Sequence, residues 1–374
     1  MAHDCLKSGP RSTQLDKWFL VANCLLLACL AFVAGGGCRE TDASSIYFDS
    51  ESLYHCDDVT DLFPVAPLLE QPDHPCYEWV SSTYGRAVKW NHSGSASVWT
   101  RDTERGTAIV ASAVHVVKDL DKYDAESEAG LFNPETETGS LSVRLPEPDG
   151  RSTTDLVSVS FPLFLPPIPP ERMRGNPMHL LPPTYDFALF AMDGQLAPKG
   201  GVTGFLAGEP KSIQPTSPRL NDPAELTTMP PTWADVAPGD LVLTIGYPKT
   251  AFREGELAAS VGRVLSDEEI AIALKGCADA GDEEGMIPYD PKAEFILEGY
   301  SALGMSGGGV YDRAGRQAGI LVRMSIKEGA PPIIRVVRMR RVIRSLKAVY
   351  NSLSPEEQKV VKPYLEKSII DGAT

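Results

Sequence analysis

Gly304-Met305-Ser306-Gly307-Gly308 sets a serine among glycines, and the fold assignment hangs on what that arrangement is for. Glycine adopts positive φ without steric cost and lets another backbone come close. A loop of this composition can fold tightly enough to aim its own N–H groups at a point beside the Ser306 hydroxyl. Val310-Tyr311-Asp312 follow, then Gly315 and the run to Arg323, so the loop leads into a β-hairpin. Glycine-serine loops are common and most are plain turns. This one acquires meaning only if a histidine and a carboxylate stand upstream in matching surroundings.

A serine hydroxyl is a poor nucleophile unless a base takes its proton as it attacks. Near neutral pH that base is a histidine, which in turn needs a carboxylate to fix its tautomer. The chain has six histidines. His3, His55, His74 and His179 lie in the N-terminal region or in a proline-rich run, and His92 sits beside a turn-like Ser-Gly-Ser. His115 alone follows a well-formed apolar strand, 106–114, whose rigid end would deliver a side chain to a surface. For the carboxylate, Asp186 opens the almost wholly apolar stretch Asp186-Phe-Ala-Leu-Phe-Ala-Met. An aspartate so placed needs a partner or its pKa rises. Asp155, which also opens a strand, is the rival.

The order His115, Asp186, Ser306, each in its local frame, resembles the trypsin-like serine peptidases, and in particular their HtrA-like bacterial branch. The matching pieces are Ser112-Ala-Val-His115-Val-Val, Asp186-Phe-Ala-Leu-Phe, Gly239-Asp-Leu-Val-Leu-Thr-Ile-Gly-Tyr-Pro248, Val261-Gly-Arg-Val and Gly304-Met-Ser306-Gly-Gly. The resemblance covers about residues 86–345. It implies an all-β chymotrypsin-like fold of two antiparallel six-stranded barrels, about 86–200 and 235–345, with C-terminal helices. It further implies a serine endopeptidase acting on proteins or peptides through an acyl-enzyme, without metal or other cofactor. Ser306 would be nucleophile, His115 the base and then acid, and Asp186 its orienter. The backbone N–H groups of Gly304 and Ser306 would form the oxyanion hole. Tyr300, six positions before the serine, would lie near the base of the primary specificity pocket.

This chain departs from that pattern in several places. The His115–Asp186 and Asp186–Ser306 intervals are longer than is usual in the family. Met305 stands where an aspartate or asparagine is common, and Gly309 where proline is usual. Met305 cannot pair with a new N-terminus, so no trypsin-type activation step is predicted. The same departures motivate an alternative, a catalytically impaired peptidase fold that binds peptides or partners. An α/β-hydrolase does not fit, because its serine precedes its histidine and helices interleave its sheet.

The formal net charge of −15 argues against nucleic acid or an anionic membrane surface as the partner. Thirty-one prolines and 32 glycines point to a loop-rich, mostly β chain. Residues 1–38 have the layout of an export signal: Lys7, Arg11 and Lys17, an apolar run from Trp18 to Ala34, then Gly35-Gly36-Gly37-Cys38. Cys38 is a candidate lipidation site, placing the protein in the periplasm, on the cell surface as a lipoprotein, or outside the cell. An uncleaved membrane anchor at the N-terminus is the remaining option. Of the cysteines beyond the signal, Cys56 and Cys76 can pair in an oxidising compartment, leaving Cys277 free. No cysteine or histidine spacing suits a metal.

Residues 39–85 are acidic and aperiodic, and are expected to be a linker or loose lead-in. Strands are predicted over 95–101, 107–114, 140–145, 156–165, 186–192, 241–246, 258–265, 270–274, 295–297, 309–312, 317–325 and 333–338. A proline-rich insertion, 162–184, and a Pro/Gly-rich stretch, 195–238, interrupt them. The acidic loop Asp279-Ala-Gly-Asp-Glu-Glu284 is expected to be solvated. Two amphipathic helices close the chain, one over 338–352 and one from Ser354 to about 370, so that 346–374 forms a helical extension.

Overall fold

The computed structural model describes residues 55–90, 94–102, 107–117, 130–131, 139–146, 153–166, 181–193, 233–249, 256–362 and 365. The N-terminal signal with Cys38, most of the proline-rich insertion and nearly all of 195–232 lie outside them.

Short β-branched runs broken by turn residues favour antiparallel pairing over helix, and the chain uses them in two rings. The first contains β2 (Ala87–Trp90), β3 (Gly94–Asp102), β4 (Thr107–Ser112), β6 (Gly139–Pro146), β7 (Thr153–Leu165) and β8 (Ala188–Asp193), and β5 (Gly130–Leu131) is appended to β7. Pairing runs β7-β6-β2-β3-β4-β8 and returns through β7–β8. The second contains β9 (Leu241–Gly246), β10 (Ala258–Val264), β11 (Glu294–Glu298), β12 (Gly309–Tyr311), β13 (Gln317–Met324) and β14 (Ile333–Arg338). Its order β10-β11-β14-β13-β12-β9 closes through β9–β10 into a six-stranded barrel. Every pairing between these strands is antiparallel. The fold is chymotrypsin-like.

The main apolar core lies at the seam. Trp99, Ile109, Phe187 and Leu189 from the first ring meet Ile320, Val322 and Val337 from the second. Helix α5 (Met339–Ser352) continues directly from β14 and adds Val342, Ile343, Leu346 and Tyr350 to that cluster. Its apolar stripe is therefore structural glue for both rings, not an extension beginning at 346. Helix α6 (Pro355–Val361) follows behind a Ser354–Glu357 capping box and ends well short of 370.

Three expectations need correction. Residues 55–86 are packed: β1 (Phe63–Pro64) pairs with β10, and helices α1 (Val65–Leu69) and α2 (Tyr77–Thr83) bury Val65, Ala66, Trp79 and Val80. The Cys56–Cys76 disulfide staples this segment, and the Arg313 guanidinium lies 4.3 Å over the Trp79 ring. Acidic composition concealed a short apolar code too brief to show a period. The run 270–274 is not a strand but the centre of helix α4 (Asp267–Asp279). Its Ser266–Glu269 capping box satisfies the first turn, and an apolar run of five residues is ambiguous between helix and strand. Finally, the acidic loop 279–284 is only partly solvated: Asp279 is exposed, but two of its carboxylates are not. Asp282 and Glu284 are buried, the first accepting from Ile326 N and Lys327 N, the second from Arg323 Nε at 2.8 Å. Buried Arg335 grips Glu294 with two hydrogen bonds of 2.8 and 2.7 Å. Burial pushes both glutamates' pKa up, and the guanidinium groups pull them back. Cys277 is free and buried, its pKa pushed up to about 11 by burial, so it stays a thiol.

Phe63 is fully buried in the segment expected to be loose. Phe63→Ala should therefore cost about 3–5 kcal/mol in urea denaturation, whereas a loose lead-in would show no change.

Candidate active site

The Ser306 loop enters from β11 and leaves into β12, and its backbone is fixed peptide by peptide. Met305 N donates to Ala302 O at 3.0 Å, closing a turn whose third residue, Gly304, has φ 97°. Positive φ there is type II geometry, which glycine alone adopts freely. Four successive carbonyls are held: Leu303 O by Lys249 N (2.7 Å), Gly304 O by Ser95 Oγ (2.8 Å), Met305 O by Gly308 N (2.9 Å) and Ser306 O by Ser95 N (2.9 Å). Gly307 N donates to Leu321 O at 2.7 Å. The N–H groups of Gly304 and Ser306 have no acceptor among the described residues. The loop thus leaves these two donors open while those of Met305, Gly307 and Gly308 are spent.

Met305 and Gly309 both find a physical reason. The Met305 side chain is fully buried in an apolar cluster with Val242, Leu297, Val310, Leu321 and Ile334. Hydrophobic burial thus anchors the loop at a position where an ion pair is common in the resembling family. A Cβ at Gly309 would collide with the Tyr311 ring, which is itself fully buried. Glycine at 309 makes room for that ring.

His115 lies just past the end of β4, in the short helix α3 (Val114–Val117). Ser112 stands opposite Ala188 in the β4–β8 register, so continuing both chains past the pair brings His115 to Asp186. Asp186 itself precedes β8, in the turn after a 3-10 segment, with its N–H on Pro183 O. His115 Nδ1 is 2.7 Å from Asp186 Oδ2, and His115 N donates to Asp186 Oδ1 at 3.1 Å. The Asp186 side chain is 1% exposed and that of His115 27%. A buried carboxylate can only accept, so the neutral ring carries its proton on Nδ1 and presents the Nε2 lone pair outward. The rival Asp155 stands opposite Arg144 in the β6–β7 register.

What joins the two halves is a pair of serines. Ser95, fully buried in β3, holds the nucleophile loop through its hydroxyl and its N–H, and its carbonyl accepts from Ser112 Oγ at 2.8 Å. Ser112 is three residues from His115. A Cβ at Gly307 would collide with Ser95 O and Ser112 Oγ, so the contact is backbone-tight. No hydrogen bond to Ser306 Oγ forms among the described residues; bonds of this kind tighten on substrate. Ser95 escaped sequence reasoning because Ser-Gly-Ser looks like a turn.

Tyr300 is 45% exposed, and it is its carbonyl that is engaged, accepting from Ser260 Oγ at 2.6 Å. Tyr300 and Leu303, the latter 57% exposed, are large hydrophobic side chains left exposed on the loop that carries Ser306. Among the described residues no group of His, Cys, Asp and Glu is set to hold a metal.

No protein-family model matches this chain, and no curated protein does. Solved structures do align. The scabies mite inactivated protease paralogue S-D1 is 15% identical over 71% of this chain and 91% of its own, with TM-score 0.41. The inactive form of Rv3671c from M. tuberculosis H37Rv, as a Ser343Ala mutant, is 15% identical over 79% and 99%, with TM-score 0.38. The MamO protease domain from Magnetospirillum magneticum is 13% identical over 70% and 96%, with TM-score 0.36. Scores this low carry no argument, and the fold assignment rests on strand order and register.

Gly307 has φ 88° and Gly329 φ 84°, but only Gly307 faces a collision, since a Cβ at Gly329 meets nothing within 4 Å. Gly329→Ala should cost about 1–2 kcal/mol from backbone strain, and Gly307→Ala clearly more, in parallel urea titrations. Equal losses would contradict the loop–Ser95 contact. By the order and register of its strands, this chain has a chymotrypsin-like fold.

Proposed function

We propose that this chain is an exported serine endopeptidase, cleaving protein or peptide substrates through Ser306, His115 and Asp186. One observation carries the reading: a buried Asp186–His115 pair stands on the same serine-linked seam as a loop in which the Gly304 and Ser306 N–H groups are open while those of Met305, Gly307 and Gly308 are engaged. In this reading His115 Nε2 takes the Ser306 proton as Oγ attacks the peptide carbonyl. The carbonyl oxygen becomes an oxyanion and is met by the Gly304 and Ser306 N–H groups. Asp186 holds the imidazole and stabilises the imidazolium that forms, without itself taking the proton. His115 then passes that proton to the leaving amine. Water, deprotonated by His115, hydrolyses the acyl-enzyme and restores the hydroxyl.

Preorganised donors of this kind supply about 3–4 kcal/mol each to acyl transfer. That is why a loop whose carbonyls from Ala302 to Ser306 are all held favours catalysis over mere docking, and why Met305 and Gly309 do not favour the binding-module alternative. The Lys/Arg–apolar–Gly-Gly-Gly-Cys38 order supports export, with Cys38 as a lipid attachment point.

The test is labelling with a fluorophosphonate probe. The wild type should be modified at Ser306, and Ser306→Ala should not react. Asp186→Asn, which reverses the tautomer, should slow labelling by about 10⁴-fold. Persistent labelling of Ser306→Ala, or an unaffected Asp186→Asn, would contradict the reading. Mass spectrometry of the mature N-terminus decides export independently: a chain beginning at a lipidated Cys38 supports it, and an intact Met1 contradicts cleavage.

A further inference from the structure

We propose that Ser95 is a positioning residue for the Ser306 loop, setting the direction of the oxyanion donors from a different barrel; the proposal rests on the peptidase reading above. Ser95 belongs to β3 of the first ring, while the loop it holds belongs to the second. Its hydroxyl donates to Gly304 O at 2.8 Å and accepts from Tyr247 N at 2.8 Å. Its backbone N–H donates to Ser306 O at 2.9 Å. Its carbonyl accepts from Ser112 Oγ, on the strand that ends at His115. One fully buried residue thus touches the Gly304–Met305 and Ser306–Gly307 peptides, the chain just past β9, and the histidine strand.

The geometry gives the hydroxyl a task that its backbone cannot share. Gly304 N and Ser306 N belong to the peptides before residues 304 and 306, so their aim depends on how the intervening Gly304–Met305 peptide is rotated. Gly304 is the flexible point, since glycine alone can leave positive φ without penalty. The Ser95 hydroxyl holds the carbonyl of that peptide. Freed from it, Gly304 O is a buried acceptor lacking this partner, and the peptide gains a reason to rotate. Rotation would misdirect an oxyanion donor while leaving the His115–Asp186 pair untouched. A misplacement of about 1 Å is enough to cost about 10²-fold in rate. Tyr247 N makes the hydroxyl specific: a side chain at 95 must accept from one strand and donate to the loop at once, which serine does within a space that Gly246 and Met305 close tightly.

The experiment compares wild type, Ser95→Ala and Ser95→Cys, the last keeping shape with a weak donor. Fluorophosphonate inactivation is followed over pH, separating the inactivation rate from the probe's binding constant. Amide hydrogen exchange of Met305, Gly307 and Gly308 is measured alongside, because it needs no activity. Ser95→Ala should lower the inactivation rate of the folded protein by about 10²-fold. Probe binding and the pH midpoint should stay as in wild type, the three amides should exchange faster, and Ser95→Cys should fall between. A merely structural role would lower the folded fraction alone and leave the rate per folded molecule intact. That result, or unchanged exchange at the three amides, overturns the proposal. If wild type itself fails to label, the peptidase reading falls, and the exchange data still decide whether Ser95 holds the loop.

Discussion

A buried backbone polar group needs a partner within the protein, and that constraint governs the seam between the two rings. Each buried carbonyl of the Ser306 loop must find a donor within the protein or cost about 1–3 kcal/mol. The loop meets the demand with partners drawn from β9, β3 and its own turns. Among the N–H groups left without an acceptor are those of Gly304 and Ser306, while Met305, Gly307 and Gly308 between and beyond them are engaged. The same logic applies to Asp186, whose burial is tolerable because both its oxygens accept from His115.

The second barrel carries a separate buried charge system, Glu284 with Arg323 and Glu294 with Arg335, beneath the capped helix α4. Buried pairs of this kind contribute little net stability, and breaking one partner is expensive. Their arrangement ties β11, β13 and β14 to the stretch between α4 and β11, on the strands that flank the Ser306 loop. Arg335 also accepts no alternative: its donors are divided among Glu294, Ile287 O and Pro288 O. Of the acidic loop 279–284, Asp282 and Glu284 are therefore engaged internally and not on offer to a basic substrate, while Asp279 is exposed.

Much of this was legible in the sequence, for identifiable reasons. Strands 241–246 and 333–338 appear at their expected bounds because apolar β-branched runs between turn residues have one stable outcome. His115 and Asp186 could be found because each abuts an apolar strand, and the β4–β8 register does the rest. Three features were hidden. Helix α4 presents an alternation that mimics a strand until Ser266 and Glu269 are seen as a cap. Residues 55–86 hide their core side chains among prolines and acids. Ser95 cannot be recognised locally at all, because its importance lies in partners more than 150 positions away, Tyr247 and Gly304.

The account turns on two backbone N–H groups facing the point where a tetrahedral oxygen would form. The most direct measurement is a crystal structure of the protein after reaction with an organophosphonate. The account predicts a covalent bond to Ser306 Oγ, with the phosphoryl oxygen about 2.7–3.1 Å from both Gly304 N and Ser306 N, and His115 Nε2 beside Oγ. A phosphoryl oxygen turned toward solvent, or a protein that emerges unmodified, would contradict it.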